Sequence, residues 1–78
     1  MIRKYKILWD EIILDDKRKT VQVNGHKEVS FSRMDEISKE LKNVNRIHKP
    51  VALLLYQDYK AGKLNKYQDC LIETVLQA

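Results

Sequence analysis

The spacing of apolar residues changes from that of strands to that of helices near residue 31, and this change constrains the fold more than any other feature. Before it, aromatic and β-branched residues such as Tyr5 and Val29 dominate, as is typical of a pleated sheet. After it, Met34 and Ile37 begin a series at helical spacing. Strands followed by helices predict an α+β fold: a small N-terminal antiparallel β-meander or hairpin, followed by two to three helices packed on one face.

The length of the chain restricts it to one hydrophobic core, because 78 residues are fewer than a typical domain contains. We therefore predict a single compact domain over 1–78, β-rich over 1–31 and helical over 32–78. Its composition, 44% hydrophobic and 33% charged, excludes a disordered or low-complexity chain.

Three features of the sequence bear on the compartment. The longest apolar run, Val51 to Tyr56, is six residues, whereas a membrane-spanning helix needs about 20. Asp10 and Glu11 interrupt the N-terminal apolar stretch, so no secretory signal is predicted. The single cysteine, Cys70, cannot form an internal disulfide, which indicates a reducing compartment. We expect a cytoplasmic protein without membrane contact.

The N-terminal segment from Ile2 to Leu14 favours strands by residue type. Helical spacing also fits Tyr5, Leu8 and Ile12, so both interpretations stay open at this point.

The pair Asn24-Gly25 is a strong hairpin signal, because both residue types tolerate positive φ. A two-residue loop would place Val21 and Val29 on opposite faces of the sheet. A three-residue loop that includes His26 pairs Val21 with Val29 and gathers the apolar residues on one face. We therefore predict the three-residue loop with a bulge.

Three helices are predicted after the strands. The first begins with Ser32 as its N-cap, and the second covers about residues 50–61 and stops at Gly62. The third is capped by Asn65 and carries a wide apolar arc. The residues of that arc are Tyr67, Cys70, Leu71, Ile72, Val75 and Leu76.

This apolar arc exceeds what a terminal helix needs for one buried face, so it predicts a partner surface. Aromatic residues suit interfaces because they supply a large contact area, although core packing explains Trp9 equally well. The predicted partner is an unidentified protein or a second copy of this chain. The interface candidates are Leu53, Tyr56, Tyr59, Ile72 and Leu76.

A net charge of +4 supports an alternative function, a small basic protein that binds nucleic acid. Two basic clusters are the candidates for phosphate contacts. They comprise Arg3, Lys4, Lys6, Lys17, Arg18 and Lys19.

No residue pattern indicates catalysis, a metal or a cofactor. The spacing of His26, His48 and Cys70 matches no metal-ligand pattern. The adjacent acids Asp10 and Glu11 would point to opposite faces of a strand. We therefore predict that the protein is not an enzyme and that it has no cofactor.

Our prediction for the function is therefore a small regulator or inhibitor that acts by protein–protein binding. Lysine outnumbers arginine by eleven to four, a bias typical of AT-rich genes. Small proteins from such genes in phages and mobile elements commonly act by binding, so blocking of a host or defence protein is the most concrete form of this prediction.

Overall fold

The computed structural model describes residues 1–76; residues 77–78, which the predicted domain 1–78 includes, lie outside the described residues. Over the described residues, five strands form one antiparallel sheet in the order β4-β3-β2-β1-β5. The strands are β1 (Ile2–Ile7), β2 (Asp10–Asp15), β3 (Thr20–Val23), β4 (Val29–Ser30) and β5 (Leu71–Val75). The helices are α1 (Phe31–Glu40), α2 (Val51–Lys60) and two 3-10 helices, Arg46–His48 and Leu64–Cys70. The predicted α+β class is confirmed, and the segment from Ile2 to Leu14 consists of strands.

The core lies between one face of the sheet and α2. Tyr5 of β1 pairs with Ile12 of β2, and Leu14 of β2 pairs with Val21 of β3. Alternate residues of a strand share a face, so these side chains all point to the helical layer, where they are buried. The buried hydrophobic residues are Tyr5, Ile12, Leu14, Val21, Met34, Ala52, Leu53, Leu55 and Tyr56.

The β3–β4 connection has the register that burial of the valines requires. Val21 pairs with Val29, as the three-residue loop predicted. Asn24 and Gly25 have φ of 52° and 74°, and the Val23 carbonyl accepts a hydrogen bond from the His26 N–H at 2.9 Å. The left-handed backbone conformation costs little at these two positions, because Gly has no Cβ and Asn tolerates positive φ.

Helix α1 begins two residues earlier than the capping signal at Ser32 predicted. The Ser30 hydroxyl accepts a hydrogen bond from the Arg33 N–H at 3.1 Å and is the N-cap. This start places the ring of Phe31 5.1 Å from that of Tyr56. With Ser30 as the N-cap, Phe31 becomes the first residue of α1, and its ring packs against that of Tyr56.

The third predicted helix is present only as a short 3-10 helix, and its predicted continuation through Leu76 is wrong. Residues 64–70 form a 3-10 helix, called here the C-terminal 3-10 helix, and the chain then extends into β5, which pairs with β1. Ile72, Thr74 and Val75 are β-branched and suit a strand. Pairing with β1 also satisfies backbone groups that β1 would otherwise expose at the edge of the sheet. The segment 32–78 is therefore not wholly helical.

Candidate protein-interaction surface

The β1–β2 hairpin ends in two exposed apolar residues, Leu8 and Trp9, which we call the hairpin tip. Ile7 pairs with Asp10, so the connection contains only these two residues. Leu8 is 75% exposed and Trp9 is 89% exposed. Both strands point every second residue at the core, and the two-residue turn lies beyond the last pair. Neither tip side chain therefore reaches the core, and sequence analysis had left this open for Trp9.

The backbone of Leu8 lies in the left-handed region, with φ of 56°. A bulky L-residue in this conformation costs about 1–2 kcal/mol, because its Cβ crowds the following carbonyl. Such strain concentrates at functional sites. An apolar side chain that is both strained and exposed contributes little to folding.

Asn24, from the β3–β4 loop, braces the base of the hairpin tip. Its side-chain amide donates a hydrogen bond to the Asp10 carboxylate at 2.9 Å, and its Oδ1 accepts one from the Glu11 N–H at 2.8 Å. The Asn24 N–H in turn donates to the Glu11 carbonyl at 2.8 Å. These three contacts hold the first residues of β2 in place, so the tip projects from a fixed base.

A second exposed apolar area lies along the sheet edge that β5 forms. Ile72 is 56% exposed and Leu76 is 78% exposed, and Val75 between them is also exposed. Ile47, in the 3-10 helix Arg46–His48, is a separate exposed apolar side chain.

The interface residues predicted from the sequence divide between the core and the surface. Leu53 and Tyr56 are each 1% exposed and belong to the core, because α2 presents them to the sheet. Tyr59 is half-buried, with its ring 5.5 Å from that of Phe31. Ile72 and Leu76 are exposed, but on and after a strand instead of a helix. Sequence analysis missed Leu8, although strand-favouring residue types on both sides of it were a signal for a hairpin turn there.

The structure does not gather the six predicted phosphate-binding residues on one surface. Arg3 lies on the same face of β1 as Tyr5, whereas Lys4 and Lys6 lie on the opposite face. The other three, Lys17, Arg18 and Lys19, form the β2–β3 turn, where Asp15 Oδ1 accepts hydrogen bonds from two backbone N–H groups.

Several of these basic side chains have acidic neighbours. The Lys4 ammonium lies 3.6 Å from a Glu11 carboxylate oxygen and 3.7 Å from one of Glu73. The Arg18 guanidinium lies 2.8 Å from the Glu28 carboxylate. Internal pairs of this kind reduce the positive potential that a nucleic acid would meet.

The buried carboxylate of Asp58 is the centre of a cluster of polar side chains. It accepts a hydrogen bond from the Tyr67 hydroxyl and lies 3.3 Å from the Lys66 ammonium and 3.8 Å from the Arg46 guanidinium. Burial acts to raise the pKa of Asp58, but the hydrogen bonds from Tyr67 and Lys66, together with the positive charges of Lys66 and Arg46, outweigh it and leave the pKa lowered. Burial and the hydrogen bond to Asp58 raise the pKa of Tyr67 to about 12. Neither group is thus poised to exchange a proton near neutral pH.

A shallow cavity of about 230 Å³ lies between β1 and the C-terminal 3-10 helix. It is lined by Arg3, Tyr5, Leu64, Asn65, Gln68 and Leu71. Its volume is smaller than that of most ligand sites, which usually enclose about 300–1,000 Å³.

The histidines and the cysteine of the sequence analysis do not form a site. His26 and His48 are exposed and Cys70 is half-buried against the core. Within residues 1–76, no group of three His, Cys, Asp or Glu side chains is placed to hold a metal ion.

Comparison of the chain with protein-family models, curated proteins and solved structures finds no match. None of the helices described over residues 1–76 has the length and apolar character needed to cross a membrane.

Proposed function

We propose that this protein is a small non-enzymatic binding module that regulates or inhibits another protein by occupying its surface, with the hairpin tip as its anchor. The observation that carries the proposal is the position of Trp9, 89% exposed at the end of a braced hairpin.

An exposed tryptophan of this kind is suited to binding because of its size. A Trp side chain buries about 150–250 Å² when it enters a pocket, at about 25 cal/mol per Å². Trp is also enriched among the residues that dominate binding energy at interfaces. The fixed base that Asn24 provides lowers the entropic cost of docking, since less of the tip has to be ordered on binding.

The charges beside the hairpin tip favour a protein partner over a lipid surface. Asp10 and Glu11 follow Trp9 directly, and Lys6 pairs with Glu11 across the hairpin. These two carboxylates balance the ammonium groups of Lys4 and Lys6 and leave the base of the tip without a net positive charge, whereas interfacial membrane anchors carry basic flanks. A polar rim around an apolar anchor is the usual arrangement at protein interfaces.

The test compares two substitutions that each remove one exposed apolar side chain. Trp9→Ser removes the anchor, and Ile47→Ser, in the 3-10 helix Arg46–His48, is the matched control at a second exposed apolar residue. Tagged proteins capture partners from nuclease-treated lysate of the source cells, and quantitative mass spectrometry identifies what each retains. We expect one protein to be retained by the wild type and by I47S and lost by W9S.

Binding to the purified partner is then measured by the fluorescence of Trp9, the single tryptophan of the chain. We expect the emission to shift to shorter wavelength as the indole leaves water. Equal capture of the partner by W9S and by the wild type would refute the role of Trp9 as the anchor. Capture that disappears with nuclease would favour the nucleic-acid alternative, and an emission shift with anionic lipid vesicles alone would favour a membrane.

A further inference from the structure

We propose that β5 is a self-pairing edge: two copies of this chain join through antiparallel β5 strands, with Thr74 opposite Thr74 of the second copy. This inference concerns a different surface from the hairpin tip and does not depend on the function proposed above.

The first observation is that, among residues 1–76, no strand pairs with the outer side of β5. β5 follows β1 at the end of the strand order, and four of its five residues are exposed. Native edges are usually protected by Pro, Lys or a short strand. The sequence Leu71–Val75 has neither Pro nor Lys, and its irregularity, where the pairing with β1 shifts register at Ile72, lies near the start of the strand and leaves Glu73 to Val75 regular. By contrast, β4 at the opposite edge is two residues long and runs directly into α1.

The second observation is that the exposed edge is complementary to itself in one register. In antiparallel pairing of identical strands, the twofold axis passes between a residue and its own copy. With the axis at Thr74, Ile72 faces Leu76 of the second copy, the residue that directly follows β5, and this apolar pair occurs twice. The central pair is Thr–Thr, a favourable cross-strand combination.

The neighbouring registers are worse for identifiable reasons. An axis at Glu73 would bring two carboxylates directly opposite each other, which destabilises a strand pair. An axis at Ile72 would centre the pair on the point where β5 shifts register against β1, and it would require Cys70, within the C-terminal 3-10 helix, to adopt a strand conformation. With the axis at Thr74, Glu73 faces Val75 and keeps its ion pair with Lys4, whose ammonium lies 3.7 Å away.

The size of the contact predicts a weak association. A pair of five-residue strands buries less than the roughly 1,200 Å² of a standard stable interface, so we expect a dimer with Kd in the micromolar range or weaker. We therefore expect the average molecular mass in solution to rise as the protein concentration increases.

Disulfide cross-linking tests the register. All chains carry Cys70→Ser to remove the native thiol, and either Thr74→Cys or Glu73→Cys is added. Residues directly opposite in an antiparallel pair lie within disulfide range. Under mild oxidation we expect T74C to form a covalent dimer several-fold faster than E73C. Equal rates, or a faster reaction of E73C, would overturn the proposed register.

Sedimentation equilibrium of the wild-type chain tests the association itself. We expect Ile72→Lys to weaken it by about tenfold, because both cross-strand apolar pairs are lost. Ile47→Lys is the matched control at an exposed site away from β5, and Trp9→Ser leaves association unchanged. Circular dichroism and cooperative unfolding verify that each variant folds. A wild-type chain that stays monomeric up to about millimolar concentration, or equal effects of I72K and I47K, would overturn the proposal.

Discussion

The Tyr67 hydroxyl donates a hydrogen bond to the buried Asp58 carboxylate and thereby ties the C-terminal 3-10 helix to α2. This contact precedes β5 in the chain, so it positions the segment that closes the sheet against β1. Lys66 adds a second contact from the same 3-10 helix, with its ammonium 3.3 Å from Asp58.

We expect Asp58→Asn to lower the free energy of unfolding by about 1–3 kcal/mol at neutral pH, because it removes a charged acceptor from a buried cluster. The pKa of Asp58 is lowered in the folded protein. Its stabilisation is therefore complete above the unfolded-state pKa of about 3.9 and is lost as the pH falls through the lower folded-state pKa.

Urea unfolding of the wild type and D58N between pH 7 and pH 2 measures this dependence. The difference between the two should narrow below about pH 4. Asp69→Asn, at an exposed position of the same 3-10 helix, is the matched control. A difference that stays constant down to pH 2 would contradict an ionised Asp58 as the source.

Leu8→Gly should stabilise the fold while it weakens partner binding. Glycine adopts the positive φ of Leu8 without strain, and the exposed side chain contributes little packing. The gain is about 1 kcal/mol, since the larger entropy of glycine in the unfolded chain offsets part of the relieved strain. Thermal unfolding measures it, with Trp9→Ala as the control that leaves stability unchanged. A destabilised L8G would mean that the Leu8 side chain supports the fold.

The brace at the base of the hairpin tip predicts a specific order of stability for two Asn24 variants. Asn24→Gly keeps the left-handed backbone and loses only the side-chain hydrogen bonds to Asp10 and Glu11. Asn24→Ala loses these bonds and also strains the backbone. We expect losses of about 1 kcal/mol for N24G and about 2 kcal/mol for N24A in chemical denaturation. Equal losses would show that backbone strain is negligible at this turn.

The two serines at the start of α1 distinguish the observed cap from the one that the sequence predicted. Ser30→Ala should cost about 1 kcal/mol, because the Arg33 N–H loses its acceptor. Ser32→Ala should change stability by less than about 0.5 kcal/mol, since alanine is a good helix former at an exposed position. Denaturant midpoints of the two variants give the comparison directly. A larger effect at Ser32 would place the helix start two residues later.

Two leucines that the sequence grouped as interface candidates should behave differently. Leu53→Ala should lower the free energy of unfolding by about 2–5 kcal/mol, because the side chain is 1% exposed in the core. Leu76→Ala should leave it within about 0.5 kcal/mol, since that side chain is 78% exposed. Similar losses for both would mean that Leu76 is buried in solution by a neighbouring copy or by this chain.

Local patterns were sufficient for most of the secondary structure. Aromatic and β-branched residue types favoured strands in the N-terminal part, although helical spacing left Ile2 to Leu14 open. Matching of apolar faces selected the Val21–Val29 pair over the tighter turn. Pro50 and Gly62 bounded α2 within one residue at each end of the predicted range. Each of these signals depends on residues close together in the chain, so the sequence pattern alone was enough to predict the corresponding strand, turn or helix end.

The candidate site depended on contacts between distant segments. Residues 71–75 fit a helical arc as well as a strand. They form a strand because they pair with β1, which lies at the other end of the chain. Trp9 suited the core as well as an interface until the Ile7–Asp10 pair placed it in the turn.

The sequence by itself therefore determined the α+β class, the order of elements up to residue 70 and the β3–β4 turn, since local periodicity and backbone preferences act over a few residues. The tertiary structure alone decided which strand closes the sheet and which apolar side chains stay exposed. Those outcomes depend on backbone hydrogen bonding and burial between remote segments, and local spacing does not encode them.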